Sequence, residues 1–179
     1  MSAASGAAGM RTAQPAEEFE EIFHRHYARV ARTIARLVRD TARAEELAAE
    51  VFWGLWKNPA VWSEEAGGWL YRTAVRAALY ELRRAARRAR YLRLLPLLSP
   101  PATPEETHAA GEERAHVRAV LAAMHTRQAE LLLLRSEGLS YQEMASALGL
   151  NPASVGTMLT RAQQAFRKEY LKQYGKPRD

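Results

Sequence analysis

The chain has 179 residues, enough for one medium domain or two small ones, and 47% of them are apolar. Packed cores are therefore expected and wholesale disorder is not. The absence of cysteine excludes disulfides, thiolate zinc sites, iron–sulfur clusters and cysteine nucleophiles, and suits a reducing compartment. Lys and Arg number 26 against 20 Asp and Glu, and the resulting +6 favours a polyanionic partner such as nucleic acid.

No segment approaches the roughly 18–20 unbroken apolar residues that span a bilayer. The opening MSAASGAAGM has no early positive charge and no hydrophobic core, so it does not read as a secretion signal. Residues 1–16 read as a floppy Ala-, Ser- and Gly-rich tail. A soluble cytoplasmic protein is expected.

After Pro15 the apolar residues fall at helical spacing. Phe19, Ile22, Phe23, Tyr27, Val30, Ile34, Leu37 and Val38 form one stripe on a long first helix, broken at Asp40-Thr41. Leu47, Val51, Phe52, Leu55 and Trp56 form the stripe of a second, which ends at Asn58-Pro59. Ser63 can cap a third, with Tyr71, Val75, Ala78, Leu79 and Leu82 inward, running towards Leu95.

The composition then shifts. Residues 96–112 read as an acidic, Pro-rich linker, with Ser99-Pro100-Pro101-Ala102-Thr103-Pro104 unable to be helical throughout. Thr103, Pro104 and Glu106 stand at cap, first-turn and capping-box positions, so a helix is expected to resume there, with Val117, Val120, Leu121 and Met124 inward. No strand-like alternation of useful length is present. The fold class is all-α: a helical domain over 17–95, a flexible linker, then a domain of four shorter helices over 113–174.

The sharpest local pattern lies between Ser140 and Tyr170. Ser140-Tyr141-Gln142-Glu143 is a capping box, and Gly149 can adopt the left-handed conformation that ends the short helix. Asn151 then caps, and Pro152 starts, a longer helix with Val155, Leu159, Ala162 and Phe166 inward. Helix, short glycine-containing turn, helix is the spacing of a DNA-binding helix-turn-helix. Its outward face carries Ser154, Thr157, Met158, Arg161 and Lys168, suited to base edges and phosphates. The amino end at Asn151 leaves backbone N–H groups for a phosphate. An ordinary helical hairpin with solvated charges would share much of this pattern.

Between Leu70 and Leu95 stand eight arginines (72, 76, 83, 84, 87, 88, 90 and 93) against one acid, Glu81. A solvated helix face normally mixes both signs, so this block reads as a surface that tracks phosphates. Trp62, Trp69, Tyr71 and Tyr80 are interleaved with it and can stack on unpaired bases at ~1–3 kcal/mol each, unless they are core residues. The second helix instead presents Glu45, Glu46 and Glu50, a surface for a basic protein partner.

Nothing here reads as catalysis. The five histidines (24, 26, 108, 116, 125) lack metal-ligand spacing, and His24 and His26 point to different sides of one helix. No glycine-rich phosphate loop follows a strand. No enzyme activity, metal or cofactor is expected.

Several runs occur together and in order: Ala44-Glu45-Glu46-Leu47 with Glu50-Val51-Phe52 and Leu55-Trp56; Trp69-Leu70-Tyr71-Arg72; Leu82-Arg83-Arg84; Leu132-Leu133-Leu134-Arg135; Glu137-Gly138-Leu139-Ser140-Tyr141; and Ser154-Val155-Gly156-Thr157 leading to Arg161-Ala162. Over residues 17–170 the chain resembles the extracytoplasmic-function (ECF) sigma factors of the sigma-70 family, bacterial transcription-initiation factors of two domains. The resemblance implies a sigma region 2 over 17–95 and a region 4 over 113–174. Core RNA polymerase, through its clamp and flap regions, promoter DNA and an anti-sigma factor are the implied partners. Glu45, Glu46, Leu47, Glu50, Phe52, Leu55 and Trp56 would dock on the polymerase clamp. Trp62, Trp69, Tyr71, Arg72, Arg76, Tyr80, Arg83, Arg84 and Arg87 would open and hold the minus-10 element. Asn151, Ser154, Thr157, Met158, Arg161 and Lys168 would bind the minus-35 element.

The chain departs from many such proteins where they carry Asn and Asp and it carries Arg76 and Tyr80. In the recognition helix, Gly156, Met158, Thr160 and Gln163 replace commoner basic residues. Two other readings share part of the pattern: a stand-alone helix-turn-helix regulator, and a sigma-derived protein that docks without initiating.

Overall fold

The computed structural model describes residues 15–62, 66–93 and 109–175, which form seven α-helices and one short 3-10 turn, with no strand among them. The expectations about the N-terminal tail, the Ser63 cap and the start signals at Thr103, Pro104 and Glu106 lie outside the described residues.

Helix α1 (Pro15–Leu37) carries the long stripe read from the sequence. Asp40 then caps α2 (Thr41–Trp56): its backbone is extended and its carboxylate accepts the Arg43 N–H at 3.0 Å. Such a cap contributes about 1 kcal/mol. The turn Pro59–Val61 leads to α3 (Ala66–Arg93), whose 28 residues span about 42 Å at 1.5 Å each. α1, α2 and α3 pack on one another around Val30, Ile34, Val51, Leu55, Leu70, Val75 and Leu79. Full burial of each such side chain contributes about 1.5–3 kcal/mol.

The second unit comprises α4 (Ala109–Ala123), α5 (Thr126–Ser136), α6 (Tyr141–Leu148) and α7 (Pro152–Tyr174). α7 packs against the other three around Val120, Leu134, Met144, Val155 and Leu159. At 23 residues it is no shorter than α1, contrary to the expectation of four shorter helices. Its far end is fastened where the Tyr170 hydroxyl donates to the Glu113 carboxylate at 2.9 Å.

The two units touch directly. α3 packs not only on α1 and α2 but also on α4, α5 and α6, and one apolar cluster runs through both units. From α1, Arg36 meets the Glu137 carboxylate at 2.8 Å and Arg29 donates to the Glu137 carbonyl.

Candidate functional site

Three surfaces carry the residues singled out in the sequence. On α2, Glu45, Glu46 and Glu50 are exposed, as are Trp53 (59%) and Trp56 (40%). Arg43 binds Glu46 at 2.9 Å, Glu50 at 3.1 Å and the partly buried Glu81 at 3.3 Å. These hydrogen bonds, Glu46 first, raise the Arg43 pKa above its already high value, so the arginine stays charged. It tethers two of the three acids and anchors the face to α3.

Leu47, Phe52 and Leu55 are buried and cannot form the apolar part of a docking face. They are the inward stripe of the helix, and one side chain cannot serve both faces. The exposed apolar surface is Trp53 and Trp56. Lys57 lies 4.8 Å from the Trp53 ring centroid, and Trp56 packs edge-on against Phe19 at 5.0 Å. Trp53 escaped the sequence reading, although it follows Glu46 by seven residues and Glu50 by three, on the acidic face.

The second surface surrounds α3. Trp62 is only 9% exposed, and its indole N–H donates to the Leu55 carbonyl at 2.7 Å. Tyr71 is 5% exposed; its hydroxyl meets His26 Nδ1 at 2.8 Å, and the Arg29 guanidinium sits 4.3 Å from its ring centroid. Burial raises the Tyr71 pKa and lowers that of His26, the latter assisted by Arg25 and Arg29. Neither ring is free to stack on a base here, a correction to both expectations. Their partners are tertiary, Leu55 in a preceding helix and His26 forty-five residues back. Trp69 is half-buried beside a cavity of about 170 Å³ shared with Arg72 and Ala147. Tyr80 is exposed.

The arginines of α3 divide by face. Arg84 and Arg87 are exposed, with Arg84 3.6 Å from Glu81. Arg72, Arg76 and Arg83, spaced by four and seven, turn towards the second unit. Arg72 donates to the Ala147 carbonyl at 2.5 Å, and Arg76 to the Glu130 carboxylate at 2.7 Å. Arg83 reaches the carbonyls of Ala122 and Met124 at 3.2 and 2.8 Å and the Thr126 hydroxyl at 2.6 Å. Glu130 is 3% exposed and lies 3.6 Å from Arg127 as well. No local spacing or motif singles out Glu130, whose partner Arg76 lies fifty-four residues away.

The third surface is the helix-turn-helix. Ser140 and Glu143 form both halves of the capping box, at 3.2 and 2.7 Å, and the Ser140 backbone N–H on the Glu143 carboxylate, helped by the Ser140 side chain, holds the Glu143 pKa down. Gly149 takes φ 63°, a left-handed conformation that strains any residue with a Cβ. Asn151 accepts the Ala153 N–H at 3.0 Å and starts α7. On the outward face Thr157, Arg161 and Lys168 are exposed, while Met158 is half-buried against the core. The Ser154 hydroxyl is held by the Asn151 carbonyl at 2.7 Å.

An acidic tryptophan face, an arginine helix and a helix-turn-helix thus occur in fixed order on two helical units. The sigma-70 region 2 family profile matches residues 22–88, and the sigma-70 region 4 profile matches residues 114–165. This chain belongs to the sigma-70 family. It is a promoter-recognising RNA polymerase sigma factor, with region 2 in α1–α3 and region 4 in α4–α7.

The ECF RNA polymerase sigma factor SigK of Mycolicibacterium vanbaalenii is 28% identical over 166 residues, covering 86% of this chain and 82% of that protein. The sigma factor CarQ of Myxococcus xanthus is 29% identical over 160 residues, covering 85% and 87%. The sigma factor RfaY of Xanthomonas campestris pv. campestris is 30% identical over 146 residues, but this sigma chain spans only 36% of its length. Among solved structures, the sigma factor RpoE of Bartonella quintana, in complex with the anti-sigma factor NepR, has the same fold. Its TM-score is 0.55 at 16% identity, over 87% of this chain and 98% of that one.

Proposed function

We propose that the α2 face of region 2, with Glu45, Glu46, Glu50, Trp53 and Trp56, docks on the clamp of core RNA polymerase, and that region 4 contacts the flap. The observation that carries this reading is two large indoles left in water beside three carboxylates, on a helix whose inward stripe is fully satisfied. Exposed aromatics rimmed by charge are the composition of an interface anchor.

In the assembled enzyme, Trp69 and Tyr80 meet the unpaired minus-10 strand, and Arg72, Arg76, Arg83, Arg84 and Arg87 neutralise its phosphates. The amino end of α7 enters the major groove at the minus-35 element. Thr157 reads base edges there, with Ser154 and Met158 beside it. Asn151, Arg161 and Lys168 hold backbone. The protein is not an enzyme: it lends polymerase its choice of start site. It acts in the cytoplasm, where the promoter is, and an anti-sigma factor is its natural antagonist. No described helix is long and apolar enough to cross a membrane.

Native assembly with core polymerase tests the docking half. Trp53→Ala combined with Glu45→Lys is expected to reduce holoenzyme formation at least tenfold with unchanged circular dichroism. Unchanged assembly would reject the α2 face as the docking surface.

A further inference from the structure

A second cavity, of about 240 Å³, lies where the turn between α1 and α2 meets α3 and α4, and none of the functions above uses it. Its floor is apolar: Leu37 and Val38 are buried and Leu82 is half-buried. Arg39, Asp40 and Ala85 also line it and are exposed, so it opens to solvent. An apolar cavity of about 150 Å³ takes benzene, so this one has room for a bicyclic ring.

Charge decides the polar end of the ligand. Three guanidinium groups line the cavity, Arg39 from the turn, Arg43 from α2 and Arg118 from α4, against the carboxylates of Asp40 and Glu81. Both carboxylates are already engaged. Asp40 accepts the Arg43 backbone N–H at 3.0 Å, and Glu81 lies 3.3 Å from the Arg43 side chain and 3.6 Å from Arg84. A cationic ligand would find its acceptors taken, whereas an anion meets a net positive wall over an apolar floor.

We propose that this cavity is a binding site for a small aromatic carboxylate, with its ring on Leu37, Val38 and Leu82 and its charge among Arg39, Arg43 and Arg118. Arg43 connects the site to the docking face, because the same guanidinium holds Glu46 at 2.9 Å and Glu50 at 3.1 Å. An anion in the cavity competes with those two acids for one cation. The coupling is reciprocal: the ligand loosens Arg43 from the acids, and loss of the acids strengthens the ligand site. Its consequence for polymerase rests on the proposed role of the α2 face; binding and competition do not.

Fluorescence titration of the free full-length chain with 2-naphthoate tests the proposal. Saturable binding of one equivalent at submillimolar concentration is expected, with naphthalene-2-carboxamide at least tenfold weaker. Arg118→Gln should weaken naphthoate at least tenfold. Ala85→Trp, which fills the cavity from an exposed position, should do the same with unchanged circular dichroism. Glu46→Gln/Glu50→Gln should tighten naphthoate severalfold, and Glu45→Gln, whose carboxylate is not among those bound to Arg43, should not. No saturation, equal binding of acid and amide, or wild-type affinity in Ala85→Trp would overturn the site. Equal effects of Glu45→Gln and Glu46→Gln/Glu50→Gln would overturn its link to the docking face. No polymerase enters these measurements, so their outcome is independent of whether α2 docks as proposed.

Discussion

The indole N–H of Trp62 donates to the carbonyl oxygen of Leu55 at 2.7 Å, tying the segment before α3 to the end of α2. Trp62 also packs 5.4 Å from Trp56 and 5.6 Å from Phe19. Removing the donor with Trp62→Phe loses one buried hydrogen bond and some volume, a cost of about 1–2 kcal/mol. Calorimetry should show Tm lowered by roughly 3–6 °C. An unchanged Tm, with single-strand binding lost instead, would return Trp62 to the strand.

Trp53 and Trp56 should behave differently although they neighbour each other. Trp53 is 59% exposed with the Lys57 ammonium 4.8 Å from its ring centroid, whereas Trp56 packs on Phe19 and Trp62. Trp53→Ala should change stability by less than about 0.5 kcal/mol yet cost about 2 kcal/mol of polymerase affinity. Trp56→Ala should reduce both. Denaturant titration beside a native assembly assay separates the two, and matching effects from both variants would contradict the assignment.

In region 4 the exposed pair Thr157 and Arg161 should divide the work of binding. Arg161→Ala is expected to weaken all minus-35 sequences alike and to lower the salt slope by about 0.9, the loss of one phosphate contact. Thr157→Ala should relax preference at one or two positions, by about 1 kcal/mol. Binding-site selection reads both. A changed preferred sequence in Arg161→Ala, with none in Thr157→Ala, would reverse the roles.

His26 gives the fold an acid-sensitive element. Burial, helped by Arg25 and Arg29, lowers its folded-state pKa below the ordinary 6.5. Between those two values the unfolded chain binds the extra proton, so stability rises with pH. The contribution is complete above about 6.5 and is lost as pH falls towards the folded value. Wild type should therefore lose more Tm between pH 7.5 and 5.5 than His26→Gln, whose amide oxygen can still accept from Tyr71. Equal losses would show that His26 is not the titrating group.

Local grammar was legible wherever neighbours in sequence decide the outcome. The Ser140–Glu143 box, the left-handed Gly149 and the Asn151 cap are each settled within four residues, and all three occur as the spacing implies. Faces and partners were less legible. Leu47, Phe52 and Leu55 stand both in the apolar stripe and in the family's docking run, and only packing decides that they are core. Arg83 and Arg84 look alike in sequence. One reaches the end of α4 and the other the solvent, because region 4 lies on one side of α3 only. Glu130 is an ordinary helical acid until α3 brings Arg76 to it.

The most direct test of the account is reconstitution of the full chain with core polymerase on genomic DNA, followed by sequencing of the 5′ ends of the transcripts. If the chain directs initiation as proposed, discrete starts appear that are absent with core enzyme alone, share one sequence near minus-10 and another near minus-35, and are lost when Arg161 and Thr157 are both replaced by Ala. Starts no more frequent than those of core enzyme alone would contradict it.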